Sequence, residues 1–158
     1  MAALHGPVQV FDADTTTVDS TLRHKLGARA RTEDGNEYIY LQGVASVVLG
    51  DWVTYDEAHL CTRVSANGVG PLAIAQAAVV ASRYGWFLIH GYTASAGAIS
   101  GGGCAADVAV YLTATAGLVD DVDVAGDAII GALSRVSESS ALIGVQVSYP
   151  FVQNIALD

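Results

Sequence analysis

From Tyr38 onward the chain repeats one device: a short apolar run with a period of two, cut off by a turn signal. In the clearest case Ile143, Val145, Val147 and Tyr149 alternate with Gly144, Gln146 and Ser148. Such alternation turns one set of side chains to a core and the other to solvent, the geometry of a half-buried strand. Val108, Val110 and Leu112 alternate in the same way with Ala109, Tyr111 and Thr113. From Trp86 to Gly91 both faces are apolar until His90, as in a strand covered on both sides. Tyr38 to Leu49, Trp52 to Tyr55 and Ile129 to Val136 complete the set, punctuated by Gly50-Asp51, Asn67-Gly68 and Gly126-Asp127. The expected fold class is mainly β, a small barrel or sandwich.

Leu72 to Arg83 fits this scheme less well. It is rich in alanine, which favours helix. As a strand, it places Leu72, Ile74, Gln76, Ala78 and Val80 on one face, opposite an almost all-alanine face. As a helix, it drops Gln76 and Arg83 into the apolar stripe. Strand is the better reading, with helix left open.

Residues 1–35 are different in kind. They carry few large apolar side chains, the run Thr15 to Thr17, and a basic cluster. That cluster, Arg23, Lys25, Arg29 and Arg31, is four of the chain's seven basic residues. Asp34-Gly35 closes the stretch with a turn signal. The expectation is an extended N-terminal arm followed by a single β-rich body over 36–158. Fully stretched, thirty residues reach roughly 100 Å. The basic cluster reads either as a solvated stretch or as an arm that docks on an acidic partner.

Charge and composition narrow the function. Hydrophobic residues make up 52% and charged residues only 15%, too few charges to coat a monomer of this apolarity. Self-association is expected. The net charge of −9, with three basic against thirteen acidic residues after Arg31, opposes binding to nucleic acid. Cys61 and Cys104 stand apart without a CxxC or zinc spacing, as in a reducing cytoplasm. No basic-then-apolar leader is read in Met1 to Val10, and Gln76, Ser82, Arg83 and Gly85 interrupt the only long apolar stretch, so no membrane partner is expected.

A search for chemistry finds no catalytic, cofactor or metal site, and the chain reads as a non-enzyme without cofactors. His5, His24, His59 and His90 lie far apart, and no serine sits in a G-x-S-x-G elbow. The run Gly97 to Gly103 lacks the Lys and Ser/Thr of a phosphate loop, since Cys104 and Ala105 follow it. It reads as a mobile surface loop or one packed at a symmetry axis. Asp120, Asp121, Asp123 and Asp127 fall short of a calcium loop because Ala125 and Ala132 occupy ligand positions. Trp52, Trp86, Tyr38 and Tyr40, with Tyr55, Tyr84, Tyr92 and Tyr111, are expected to pack in the core or at a subunit interface. The alternative is a stacking platform for a carbohydrate or small molecule.

One resemblance spans most of the chain. The ordered set His24 to Ala30 (HKLGARA), Tyr38 to Ser46 (YIYLQGVAS), Gly50 to Asp56 (GDWVTYD), Tyr84 to Gly91 (YGWFLIHG), Ala125 to Ala132 (AGDAIIGA) and Tyr149 to Gln153 (YPFVQ) resembles the capsid decoration, or cement, proteins of tailed bacteriophages. The resemblance implies a β-tulip-like body, a homo-trimer at local threefold axes, and an N-terminal arm laid on the major capsid protein. It further implies a place on the outside of the virion after synthesis in the host cytoplasm. It carries over no catalytic residue.

Overall fold

In the computed structural model, which describes residues 8–9, 14–98, 104–137 and 141–153, the chain folds into one mixed sheet of eleven strands with no helix among the described residues. The strands are β1 (Val8–Gln9), β2 (Arg29–Arg31), β3 (Glu37–Gly43), β4 (Trp52–Tyr55), β5 (Leu60–Arg63), β6 (Gly70–Ala75), β7 (Tyr84–Gly97), β8 (Ala109–Leu112), β9 (Val119–Asp120), β10 (Ala128–Ser134) and β11 (Leu142–Val152). Their order is β1-β2-β3-β5-β4-β6-β7-β11-β10-β8-β9. Two further pairings, β3 with β7 and β6 with β11, close β3, β5, β4, β6, β11 and β7 into a ring. The expected mainly-β body is present.

The ring explains why its strands are apolar on both faces. In β3 and β7, Ile39, Leu41, Phe87 and Ile89 point to one buried cluster, while Tyr38, Tyr40, Trp86 and Leu88 point to another. The first cluster is joined by Val53, Cys61, Ala73, Ala75 and a plug from the following loops, Val47 and Val79. These come from β3, β4, β5, β6 and β7, which pair in a closed circuit, and this cluster fills its interior. The second lies on the outer wall of that circuit, where Val110, Leu112, Val119, Ile129 and the β11 residues Ile143, Val145 and Val147 join it. Each Leu- or Phe-sized side chain so buried stabilises the fold by about 1.5–3 kcal/mol.

The ambiguous segment resolves as the strand β6, ending at Ala75. Its alanine face, Ala73 and Ala75, turns into the ring, where a narrow interior admits small side chains beside Phe87 and Val53. Helix propensity is overridden because β4 and β7 both pair with this segment. The chain then leaves the sheet over 76–83.

Two expectations are corrected. The strand expected over Tyr38 to Leu49 ends at Gly43, where a Cβ would come within 2.0 Å of the Val79 carbonyl oxygen. Beyond it the chain loops, and the Asp51 carboxylate accepts a hydrogen bond from the Val48 N–H at 2.8 Å. The described part of 1–35 is not a loose arm. Asp19 and Tyr84 exchange backbone hydrogen bonds at 2.8 and 3.1 Å, and the buried Asp19 carboxylate accepts the Tyr40 hydroxyl at 2.6 Å. Gly27 and Ala28 pair with Tyr40, and β2 forms a hairpin with β3 through the Asp34-Gly35 turn, with Gly35 at φ 88°. Ala30 enters the outer-wall core, and Leu26 and Ala28 pack against it. Backbone pairing and one buried polar contact do what large apolar residues would otherwise do, which is why composition suggested detachment.

Candidate interaction surface

Among the described residues, the histidines and cysteines do not converge on one site. His24 packs beside Tyr40 and Trp86, with ring centroids 5.0 and 5.2 Å away. His59 sits in the β4–β5 turn with φ 61°, against Gly27. His90 stacks on Tyr149 at 5.3 Å, and His5 lies outside the described residues. Burial pushes the Cys61 thiol up to about 12 and the Cys104 thiol up to about 11, the latter also through Asp121 and Asp120. Neither supplies a thiolate at neutral pH. Among the described residues no group of three or more His, Cys, Asp and Glu is placed to hold a metal ion. Of the glycine run, 99–103 lie outside the described residues.

The acidic run is turned largely onto its own backbone. Asp120 accepts from the Val122 N–H at 3.1 Å, Asp121 from the Ala105 N–H at 2.9 Å, and buried Asp127 from the Asn67 N–H at 2.6 Å. Asp123 makes no such contact with any described residue. Its neighbours Val122 and Val124 are 60% and 44% exposed.

Trp52, Trp86, Tyr38 and Tyr40 are all buried in the outer-wall core. Desolvation first, and then the hydrogen bond to Asp19, hold the Tyr40 hydroxyl far above the ordinary phenol value. The basic residues are spread out rather than clustered. Arg23 pairs with Asp19 at 3.0 Å, Arg31 pairs with Glu37 at 3.1 Å, and Lys25 is exposed. Arg29 meets no carboxylate among the described residues; its guanidinium lies 5.7 Å above the Tyr149 ring.

Tyr149 is the residue whose placement departs furthest from the sequence pattern. Alternation with Val145 and Val147 puts it on the buried face, yet it is 49% exposed, at φ 49°, while Pro150 beside it is buried. The register between β10 and β11 slips here, between Ile130 and Ala132. A bulge re-aims one side chain at the cost of local strain. The displayed ring is then held from three sides. Its hydroxyl donates to Glu37 Oε2 at 2.6 Å, His90 stacks on it, and Arg29 lies over it. The Glu37 hydrogen bond is the main cause of a hydroxyl raised above its ordinary value, with a smaller part from desolvation. Glu37 in turn is fixed by Arg31, and Ile130 beside the bulge is 52% exposed. The sequence did carry a signal: Pro150 cannot donate to a ladder, so a proline inside this strand marks an irregularity.

Two further surface features complete the inventory. Val44, Val48 and Leu49 on one loop and Val80 on another are exposed, and the loops are tied where Gly43 bonds to Arg83 and Ser82. Beside β4 and β5 lies an open cleft of about 550 Å³, lined by Thr54, Tyr55, Asp56, Glu57, Thr62 and Val69 among others. Sequence reasoning also missed Asp51, 1% exposed, whose carboxylate meets Arg63 at 2.9 Å and which burial holds above its usual value. Nothing in local spacing announces that pair. No helix of the described residues is long and apolar enough to cross a membrane. Compared with protein-family models, curated proteins and solved structures, the chain matches none.

Proposed function

We propose that this chain is a non-enzymatic structural protein of a phage virion that binds the outside of the capsid as a homo-trimer and stabilises the shell by bridging major capsid protein subunits. The observation that carries the proposal is the exposed apolar rim of Val44, Val48, Leu49 and Val80 on a body with so few charges. Exposed apolar side chains on two loops tied to one another by backbone hydrogen bonds support a docking role. The resemblance adds support through where its segments fall. Tyr38 to Ser46, Gly50 to Asp56, Tyr84 to Gly91 and Tyr149 to Gln153 contribute β3, β4, β7 and the end of β11, all strands of the ring. Lys25, exposed, is a positive charge available to a shell, while Arg23 is also exposed but pairs with Asp19. The test is co-sedimentation of purified protein with undecorated capsids, imaged by negative stain. Saturable binding and a raised disruption temperature of the shell are expected; free protein left wholly in the supernatant would overturn the proposal.

A second reading, a carbohydrate- or small-molecule-binding module, has the cleft in its favour. Tyr55, two threonine hydroxyls and two carboxylates are groups that bind sugar hydroxyls. It cannot use Trp52, Trp86, Tyr38 or Tyr40, which are buried. A glycan-binding screen of wild type against Tyr55→Ala decides it, since only a signal lost in the variant favours the module.

A further inference from the structure

The bulge at Tyr149 does something the ring does not need. A β-strand continued through Ser148 and Pro150 would bury the ring; instead the backbone adopts a left-handed φ of 49° and turns it outward. Such strain persists where the surroundings over-determine it, and it gathers at functional positions. The surroundings here are Glu37, His90 and Arg29, which leave a half-exposed tyrosine and one guanidinium without an ion pair among the described residues presented together. Tyrosine and arginine in a preorganised patch, with exposed Ile130 next to the bulge in the β10–β11 register, are the residues that dominate protein interfaces.

The chemistry of the occupant follows from charge. An unpaired arginine over an aromatic ring favours a carboxylate flanked by apolar side chains. The chain itself displays that combination. Val122-Asp123-Val124 exposes two valines around the aspartate that has no partner among the described residues, while its acidic neighbours are tied to backbone N–H groups. We propose that the Arg29–Tyr149–Ile130 patch receives the Val122-Asp123-Val124 loop of a second copy of this chain. Patch and loop are different sets of residues, so the contact is head-to-tail, and it closes a ring of three where the rotation it imposes is a third of a turn. The proposal takes only its stoichiometry, three copies, from the proposed function.

The test is a charge-swap cycle read by light-scattering mass against concentration. Arg29→Glu and Asp123→Arg should each weaken self-association by roughly tenfold or more, and the double variant should recover it. Asp123 is exposed and without an ion pair among the described residues, so the denaturant midpoint of Asp123→Arg should stay at the wild-type value. Arg29→Glu also loses its contact over Tyr149, a loss the double variant shares, so recovery in the double variant separates lost association from lost folding. Association of wild type should also weaken as salt rises. Two single variants that associate like wild type, or a double variant that fails to recover, would overturn the proposal. If the single variants remain oligomeric but no longer bind capsids, the patch faces the shell and the copy-to-copy contact is wrong, while the virion reading stands. If the swap cycle behaves as expected but wild type never binds capsids, the contact stands and the virion reading falls.

Discussion

The two buried clusters are built on opposite principles. The ring interior is aliphatic apart from Phe87 and Tyr55 at its margin, and most of it comes from strands that close on one another. The outer-wall core holds Trp52, Trp86, Tyr38 and Tyr40, and its cover is made by the early segment 19–31 and by β8 to β11. An interior sealed by its own ring needs only apolar volume. A core sealed by distant parts of the chain needs polar fastenings to fix those parts, and it has them in Tyr40 with Asp19 and in the Asn67 N–H with buried Asp127. The ring should therefore be the last part to open and the early segment among the first.

The largest effect should come from the ring. Phe87→Ala should cost about 3–5 kcal/mol by denaturant midpoint, the range for truncating a buried aromatic, and Trp86→Ala on the outer wall should fall in the same range. A loss below about 1 kcal/mol at Phe87 would mean that the ring interior can collapse, and would break the comparison.

Next comes the fastening. Asp19→Asn should cost about 1–3 kcal/mol, because it weakens a buried hydrogen bond and an ion pair together. Hydrogen exchange should show the amides of 19–31 losing protection while those of β7 keep theirs. Equal loss in both would show one cooperative unit. Deleting residues 1–35 removes Asp19 and β2 with it, so it should destabilise the body.

The same fastening should appear in the response to base. Tyr40 has its folded pKa raised above the ordinary 10.0, so the stability it contributes is fully present below that value. It is lost as pH rises beyond it, because the unfolded phenol ionises first. Tyr40→Phe should flatten the fall in stability above pH 10.0 in urea titrations; an unchanged slope would assign the alkaline loss to another group.

Tyr149→Phe should do least, shifting stability by about 0.5 kcal/mol, since its hydrogen bond to Glu37 is exposed. A shift of several times that, measured in the same denaturant series, would make Tyr149 part of the fastening rather than a displayed surface.

Local pattern was enough to find β4 over Trp52 to Tyr55, the buried run of β7, and β8 and β10 to within a residue or two. Alternation and turn pairs are short-range quantities, and these strands obey them. It was not enough for β5, whose Leu60, Cys61, Thr62 and Arg63 do not alternate, or for β9, whose two residues are too short to establish a period. It misjudged residues 14–35, because backbone pairing to Tyr40 and Tyr84 has no signature in side-chain composition. It put Tyr149 on the wrong face, because a bulge shifts the period by one and only the pairing with β10 reveals where.

Composition and period by themselves determined that this chain is a mainly-β body with too little charge for its apolar content and no recognisable catalytic motif, since those follow from residue types and nearest neighbours. Only the tertiary structure decided that six strands close into a ring, that Trp52, Trp86, Tyr38 and Tyr40 are buried while Tyr92 and Tyr149 are exposed, and that Arg29, Glu37, His90 and Tyr149 meet at one place. The physical reason is distance along the chain. Glu37 and Tyr149 are 112 residues apart, and a contact of that span is set by register across several strands, which no local window contains.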